Sequence, residues 1–432
     1  MRMKTWAAIG AALALPLLSG CGDDNAQKGF VRSINATIEY ASLDLYTQGS
    51  NGSNDLVVSG TAAGAASPYT SIDKGSYTFN IKSGSGAGNA ATTTGSINKT
   101  DHYSVVTYLT GGVAKAQFLT DEESNPASGN AKLRVFNAAT SEASSVDVYL
   151  TGNPCNALAV TDTAFAAAQS GLQAAYSQVS AKSWNVCVFP SGDKSTLLLD
   201  IQSLTLKDQE IATLILTHTT GGRLLNGAVL DQQGAITPFT SAIARVRVAA
   251  DPLAGLTTVT LNGTEVTAQA AAQSISSYVT LPSGALTAAV TIDGVTTNVT
   301  TLAAATAGND YTLLITGTQS NPTATLITDD NSVSTNTTQT VKARVINGIN
   351  NGTGSVSATI DNKTVGTAAF AIASPYVTIP ATTGTSTVQA SIVTNPTSLT
   401  NQSFVANGVY TVFIWGDGSA GQTPKLAVNT DR

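Results

Sequence analysis

Charge is the scarcest ingredient of this chain. Of its 432 residues only 11% are Asp, Glu, Lys or Arg, against roughly 25% in an average soluble domain. Long charged helix formers are few, and no stretch sustains the 3.6-residue apolar period of a helix. Basic residues are also outnumbered, 21 to 27, for a net charge of −6. A protein that grips phosphate backbones needs a basic face, so nucleic acid is not an expected partner. A polybasic membrane-binding patch is equally unexpected. Histidine occurs twice, as His102 and His218, and each is expected at a surface or strand edge. With three cysteines there is no zinc-like Cys/His spacing. No Gly-rich phosphate loop joins a strand to a helix. No Ser-His-Asp or Cys-His set assembles within one region. The expectation is no catalytic residue, no resident metal and no cofactor. Aromatics are only 6%, too few for a ready carbohydrate platform.

Thr, Ser, Ala, Gly, Asn and Val fill the space left by charge. Thr and Val favour pleated, half-buried surfaces, while Gly and Asn favour turns. That balance points to an all-β protein of many short strands.

The first 21 residues read as an address. Arg2 and Lys4 begin it, and Trp6 to Leu18 form an apolar stretch. A basic start before a short apolar run marks secretion, and the run falls short of the ~20 residues needed to span a membrane. Leu18-Ser19-Gly20-Cys21 resembles the lipobox of bacterial lipoproteins. The resemblance implies cleavage before Cys21, diacylglycerol on its sulfur and acylation of its new amino group. Residues 1–20 would be the signal peptide and 21–27 the lipidated cysteine and tether. Position 22 is Gly, not the Asp that resembles an inner-membrane retention signal, so the expected address is the outer membrane. The remaining pair, Cys155 and Cys187, suits a disulfide in such a compartment.

A repeat organises the rest. Phe30-Val31-Arg32-Ser33-Ile34-Asn35-Ala36 recurs as Leu133-Arg134-Val135-Phe136-Asn137-Ala138 and as Ala343-Arg344-Val345-Ile346-Asn347-Gly348. Ala244-Arg245-Val246-Arg247-Val248-Ala249 fits between them. Taking Arg245 as the equivalent, the arginines lie 102, 111 and 99 residues apart. Tyr69, Tyr176, Tyr278 and Tyr376 each precede an aliphatic residue by three positions. A closing strand runs into Asp121, Asp231, Asp329 and Asn429. These marks predict four tandem immunoglobulin-like β-sandwiches, over 28–122, 131–231, 242–329 and 341–432. Asp293-Gly294 between two alternating runs predicts a tight hairpin. Ser83–Gly95 reads as a loop, and Ala164–Gln169 as one helical turn. The polar stretches between copies read as linkers that leave little to weld neighbours together, so an elongated string is expected. The recurring Arg is expected to pair within its own copy, and the recurring Tyr to anchor a loop through its hydroxyl. The acids Asp121-Glu122-Glu123 and Asp329-Asp330-Asn331 at the junctions raise a minor alternative, calcium.

The openings through Leu43-Asp44-Leu45-Tyr46 and Val146-Asp147-Val148-Tyr149-Leu150 look like a bacterial family of unknown function, the DUF4397 domains. The likeness is clear in copies one and two and weaker in three and four, where Thr260 and Ser357 or Ala358 replace the Asp. It implies export and tandem β-domains, and adds no chemistry. The resulting expectation is a lipid-anchored envelope protein held in the bilayer by Cys21, with a structural or adhesive role and an envelope protein or polysaccharide as partner. The alternatives are a ligand-binding lipoprotein for carbohydrate or peptide and, remotely, an envelope hydrolase.

Overall fold

In the computed structural model the described residues are 27–48, 52–84, 88–140, 144–169, 171–219, 221–299, 302–333, 339–351, 354–391, 397–419 and 424–432. The expected signal segment and Cys21 lie outside them.

Alternating sequences build the sandwich of copy one. β1 (Lys28–Asn35) is followed by β2 (Ser42–Gln48), β3 (Asn54–Ala62), β4 (Thr70–Asp73), β5 (Gly75–Lys82), β6 (Asn89–Ile97), β7 (His102–Thr110) and β8 (Val113–Thr120). They form two four-stranded sheets, ordered β4-β1-β7-β8 and β3-β2-β5-β6. β1 and β7 run parallel, with Val31 opposite Tyr103; the other pairings are antiparallel. Val31, Leu43, Leu45, Phe79, Ile81 and Val105 meet between the sheets, all fully buried. Each such side chain is worth about 1.5–3 kcal/mol.

The same plan repeats three times, each copy with its own apolar core. The protein is all-β, a set of two-sheet sandwiches as expected. Copy two carries an addition: Ile236–Phe239, inside the expected linker 232–241, forms a fifth strand on the edge strand Leu225–Asp231. The predicted hairpin is present, with Ile292 opposite Val295 and positive φ at Asp293 and Gly294, as a type I′ turn requires. Two expectations fail. Asn89–Gly95 is part of β6, an edge strand whose Thr-rich outer face disguised it as a loop. Ala166–Gln169 is a strand on Ser145–Thr151, not a helical turn; main-chain pairing with a neighbour outweighs a capping signal six residues long.

A larger correction concerns the linkers. The outer faces of the β4-β1-β7-β8 sheets are not solvated. Copies one and two press theirs together around Ile34, Val106, Tyr108, Phe136 and Ile215. Copies three and four do so around Leu314, Ile346, Phe413 and Trp415. At Gly171 a Cβ would lie 2.2 Å from the Tyr108 hydroxyl across the first junction, and φ there is +66°; only glycine suits both demands.

Candidate functional site

The recurring arginines meet at these junctions. On each opening strand the residues before and after the Arg face the copy's own core, so the Arg points outward, into the neighbour. Its Nε marks equivalent positions: Arg32 donates to Ser104, Arg134 to Thr213, Arg247 to Thr312 and Arg344 to Thr411. Arg247 is therefore the third member, two residues beyond the expected Arg245. Arg245 lies on the same face and pairs instead with Asp310. All four arginines of the series are buried.

Each guanidinium lies over the ring of the recurring Tyr, with centroid distances of 4.4–4.8 Å. Such stacking contributes about 0.5–2 kcal/mol each, more when dry. The tyrosine hydroxyl was expected to tie a loop. In copies one and three it donates to an acid, Tyr69 to Asp121 at 2.7 Å and Tyr278 to Asp329 at 2.6 Å. Tyr176 reaches only Thr213, at 3.4 Å, and the buried Tyr376 hydroxyl has no hydrogen-bond partner among the described residues. Burial and the neighbouring Asp121 push the Tyr69 phenol well up. Burial does the same for Tyr278 and Tyr376.

The acids pair within their own copy, as expected, and across the junction as well: Asp121 lies 3.5 Å from Arg32 of copy one and Asp329 lies 3.8 Å from Arg247 of copy three. Between copies three and four the pairing is exchanged: Arg247 donates to Asp431 at 2.6 Å, and Arg344 donates to Asp329. Asp329 also accepts from Thr312 and Asp431 from Thr411. Desolvation opposes the charge on Arg247, but Asp431, Tyr278 and Asp329 together hold its pKa raised. Asp431, not Asn429, is the acid equivalent to Asp121 and Asp329. Between copies one and two the equivalent of Asp431 is Gln232. Asp121 alone faces both arginines, at 3.5 Å from Arg32 and 3.6 Å from Arg134. Arg32 completes its shell with the carbonyls of Asp231 and Gly234. Arg134 reaches the carbonyl of Thr120, and Arg344 that of Thr328. In the first junction Arg32 to the Asp231 carbonyl and Arg134 to the Thr120 carbonyl repeat one geometry in both directions, as a pseudo-two-fold junction would.

The junction acids considered for calcium are thus committed to cations of the protein. Asp121 and Asp329 serve arginines, Glu122 contacts His102, Glu123 contacts Lys132, and Asp330 contacts Lys342. No cluster of three or more potential metal ligands occurs among the described residues. His218, expected at a surface or strand edge, is buried at the end of the strand Ile211–His218: its Nε2 meets Glu39 of copy one at 2.8 Å, a further tie across the first junction. His102 is half-buried and stacks on Phe30. Cys155 and Cys187 are bonded, with Cα atoms 5.5 Å apart, in a small cluster with Tyr149 and Phe189.

A cleft of about 770 Å³ lies between copies two and three beside that disulfide. Its charged walls are engaged: Lys194 donates to three carbonyls and Arg245 to Asp310. Burial raises the pKa of Asp200 there. The cleft was not foreseen from the sequence, since nothing in either copy alone marks it.

The family model for a domain of unknown function (DUF4397) matches residues 29–149 and 244–352. The chain belongs to this family. Each match begins at the opening strand of the first copy in a junctional pair; the first runs into the second strand of copy two and the second ends just past the opening strand of copy four. No curated protein matches the chain. Among solved structures, one from Bacteroides uniformis described as a candidate cell adhesion protein is 13% identical, covering 47% of this chain and 99% of that one at a TM-score of 0.22. A family-26 carbohydrate-binding module from Eubacterium rectale Amy13K, in complex with maltoheptaose, is 11% identical over 48% and 97% at 0.16. BcpA, the major pilin subunit of Bacillus cereus, is 10% identical over 91% and 100% at 0.14. At these scores the likenesses carry no argument about this chain.

Proposed function

We propose that this DUF4397 protein is an exported lipoprotein, anchored through Cys21 in the outer membrane, that presents welded pairs of β-sandwiches as a non-catalytic structural or adhesive element of the cell envelope. The observation that carries the reading is Leu18-Ser19-Gly20-Cys21 directly after a basic, apolar start. Two acyl attachments make such an anchor stable, at about 0.8 kcal/mol per buried CH₂. The ionisable groups at the junctions support a mechanical role. Arg134, Arg247 and Arg344 meet acids of the neighbouring copy, an arrangement that resists separation.

The test follows membrane partition and intact mass of the wild-type protein and of Cys21→Ser. The wild type should carry acyl mass and pellet with membranes, and the variant should be soluble. An unacylated wild type, or a variant that still pellets, rejects the anchor. A second reading, capture of a soluble carbohydrate or peptide, has one observation in its favour, the cleft between copies two and three. Ligand-dependent protection of Thr196 to Gln202 from hydrogen exchange would favour it.

A further inference from the structure

The two junctions differ at one edge. In copy two the edge strand Leu225–Asp231 is covered by Ile236–Phe239, which pairs antiparallel with it, Ile236 opposite Leu230 and Phe239 opposite Gly227. Ile236 packs into the junctional cluster along with Ala66 of copy one. The inserted strand therefore fills a groove between one copy's edge strand and the turn preceding the other copy's recurring Tyr.

The same two walls exist between copies three and four. Ile327 is the counterpart of Leu230, for each lies opposite the Thr that receives the arginine Nε: Thr312 pairs with Ile327 and Thr213 with Leu230. Ala373 is the counterpart of Ala66, for each bridges the residue two places after the Arg: Ile346 with Ala373 and Ile34 with Ala66. Between them lies a groove of about 490 Å³, walled by Thr325–Thr328 on one side and Ala371–Tyr376 on the other. The strand Asn321–Asp329 pairs with Asp310–Thr318 and, among the described residues, with no strand on its outer edge. Ile372, beside the groove, is 55% exposed.

An unpaired strand edge is a template for another strand, and strand addition is a recurrent mode of peptide capture. We infer that this groove is an acceptor site for an extended segment of a partner polypeptide. The segment runs antiparallel to Ala324–Ile327 and places a branched aliphatic side chain against Ile327 and Ala373, as Ile236 does against Leu230 and Ala66. Main-chain hydrogen bonds supply affinity, and the narrow apolar wall selects the aliphatic residue. The site gives the adhesive reading above a partner class, and it rests on that reading only for its purpose.

The probe is a labelled peptide with the sequence of residues 233–240, Gln-Gly-Ala-Ile-Thr-Pro-Phe-Thr, added to the mature full-length chain. Binding should saturate below millimolar peptide and protect amides of 323–328 from hydrogen exchange. A scrambled peptide should bind at least tenfold more weakly. Ala373→Phe narrows the groove and should weaken binding at least tenfold. Ile372→Asp, at an exposed position, should weaken it several-fold with the fold intact by circular dichroism. Absence of protection at 323–328 up to millimolar peptide overturns the inference. So does protection confined to 225–231, which would mean the peptide merely displaces the chain's own strand, or binding that neither variant alters. These outcomes leave membrane partition through Cys21 untouched, so the two proposals fail separately.

Discussion

Between copies three and four, two buried arginines face two carboxylates; between copies one and two, two buried arginines share one. The substitution responsible is Gln232 where the other pair has Asp431. Both junctions nevertheless close over the same apolar positions, and both keep the Arg-over-Tyr stack. The apolar cluster therefore sets the geometry, and the charges are fitted into it. Arg32 replaces its missing acid with two carbonyls from copy two, and the Glu39–His218 contact adds a tie at that junction. A buried ion pair adds little net stability over apolar residues of the same shape, but breaking one is costly, since it strands a charge away from water.

That asymmetry gives the largest expected effect. Asp329→Ala leaves Arg344 buried without its carboxylate and removes the acceptor of Tyr278, and should cost about 3–5 kcal/mol. Arg32→Leu should cost only about 1–2 kcal/mol, because Asp121 keeps Arg134, Tyr69 and Ser104. Urea titrations follow the two pairs separately, since Trp415 sits in the second junction and Trp184 packs against the core of copy two, a member of the first pair. Equal losses in the two variants would mean that the carboxylate count does not govern the junctions.

The disulfide sharpens the comparison next, because it lies in copy two alone. Closing a loop with a sequence separation of 32 should contribute about 2–4 kcal/mol. Reduction should move the Trp184 transition to lower urea and leave that of Trp415 in place. A matching shift at Trp415 would show that the two pairs unfold as one unit.

The sandwiches were legible in the sequence because period-2 alternation is local: Tyr77, Phe79 and Ile81 on one face announce β5. The junctions were harder to read, although a signal was present. Leu133 and Val135 lie on one face with Phe136 on the other, and Val412 and Ile414 on one face with Phe413 and Trp415 on the other; strands covered on two sides carry apolar residues on both faces, and only one of those faces can point at the copy's own core. The third arginine was misassigned because Arg245 and Arg247 share a face, two residues apart; only the pairing with Thr312 distinguishes them. Asp431 was missed because Asn429 ends the apolar run, whereas the junction uses the side chain two residues later. The acceptor groove leaves no mark in either copy, since each contributes a single wall.

A pH effect of intermediate size separates the junctions again. Asp251, at the position of Ala36 in copy one, accepts the Gly416 N–H across the second junction at 2.5 Å. Burial pushes its pKa from 3.8 up to about 6. A raised acid favours the folded state when protonated, so this contribution is complete below 3.8 and is lost as pH rises through about 6. From it, the second pair should lose about 2–3 kcal/mol between those limits. Asp251→Asn should remove that loss, flattening the Trp415 transition midpoint against pH relative to wild type while leaving the Trp184 transition unchanged. A variant that keeps the wild-type slope would place the pH dependence elsewhere.

The smallest effect concerns the two tyrosine hydroxyls of the second junction. The Tyr278 hydroxyl donates to Asp329 at 2.6 Å and accepts from Asn331 at 3.1 Å. Hydrogen bonds to charged groups contribute about 1.5–3 kcal/mol, so Tyr278→Phe should cost an amount in that range. The Tyr376 hydroxyl is buried with no partner among the described residues, although its ring lies over Arg344 as the other three rings lie over their arginines. Tyr376→Phe keeps the ring and removes a buried polar group that gains nothing, so its effect should be within about 0.5 kcal/mol of zero, or stabilising. Equal losses in the two variants would mean that Tyr376 does bond to Asp431 in solution. The second junction would then carry the Tyr–acid bond on both sides of its pseudo-two-fold, whereas in the first junction Tyr69 meets Asp121 and Tyr176 meets Thr213.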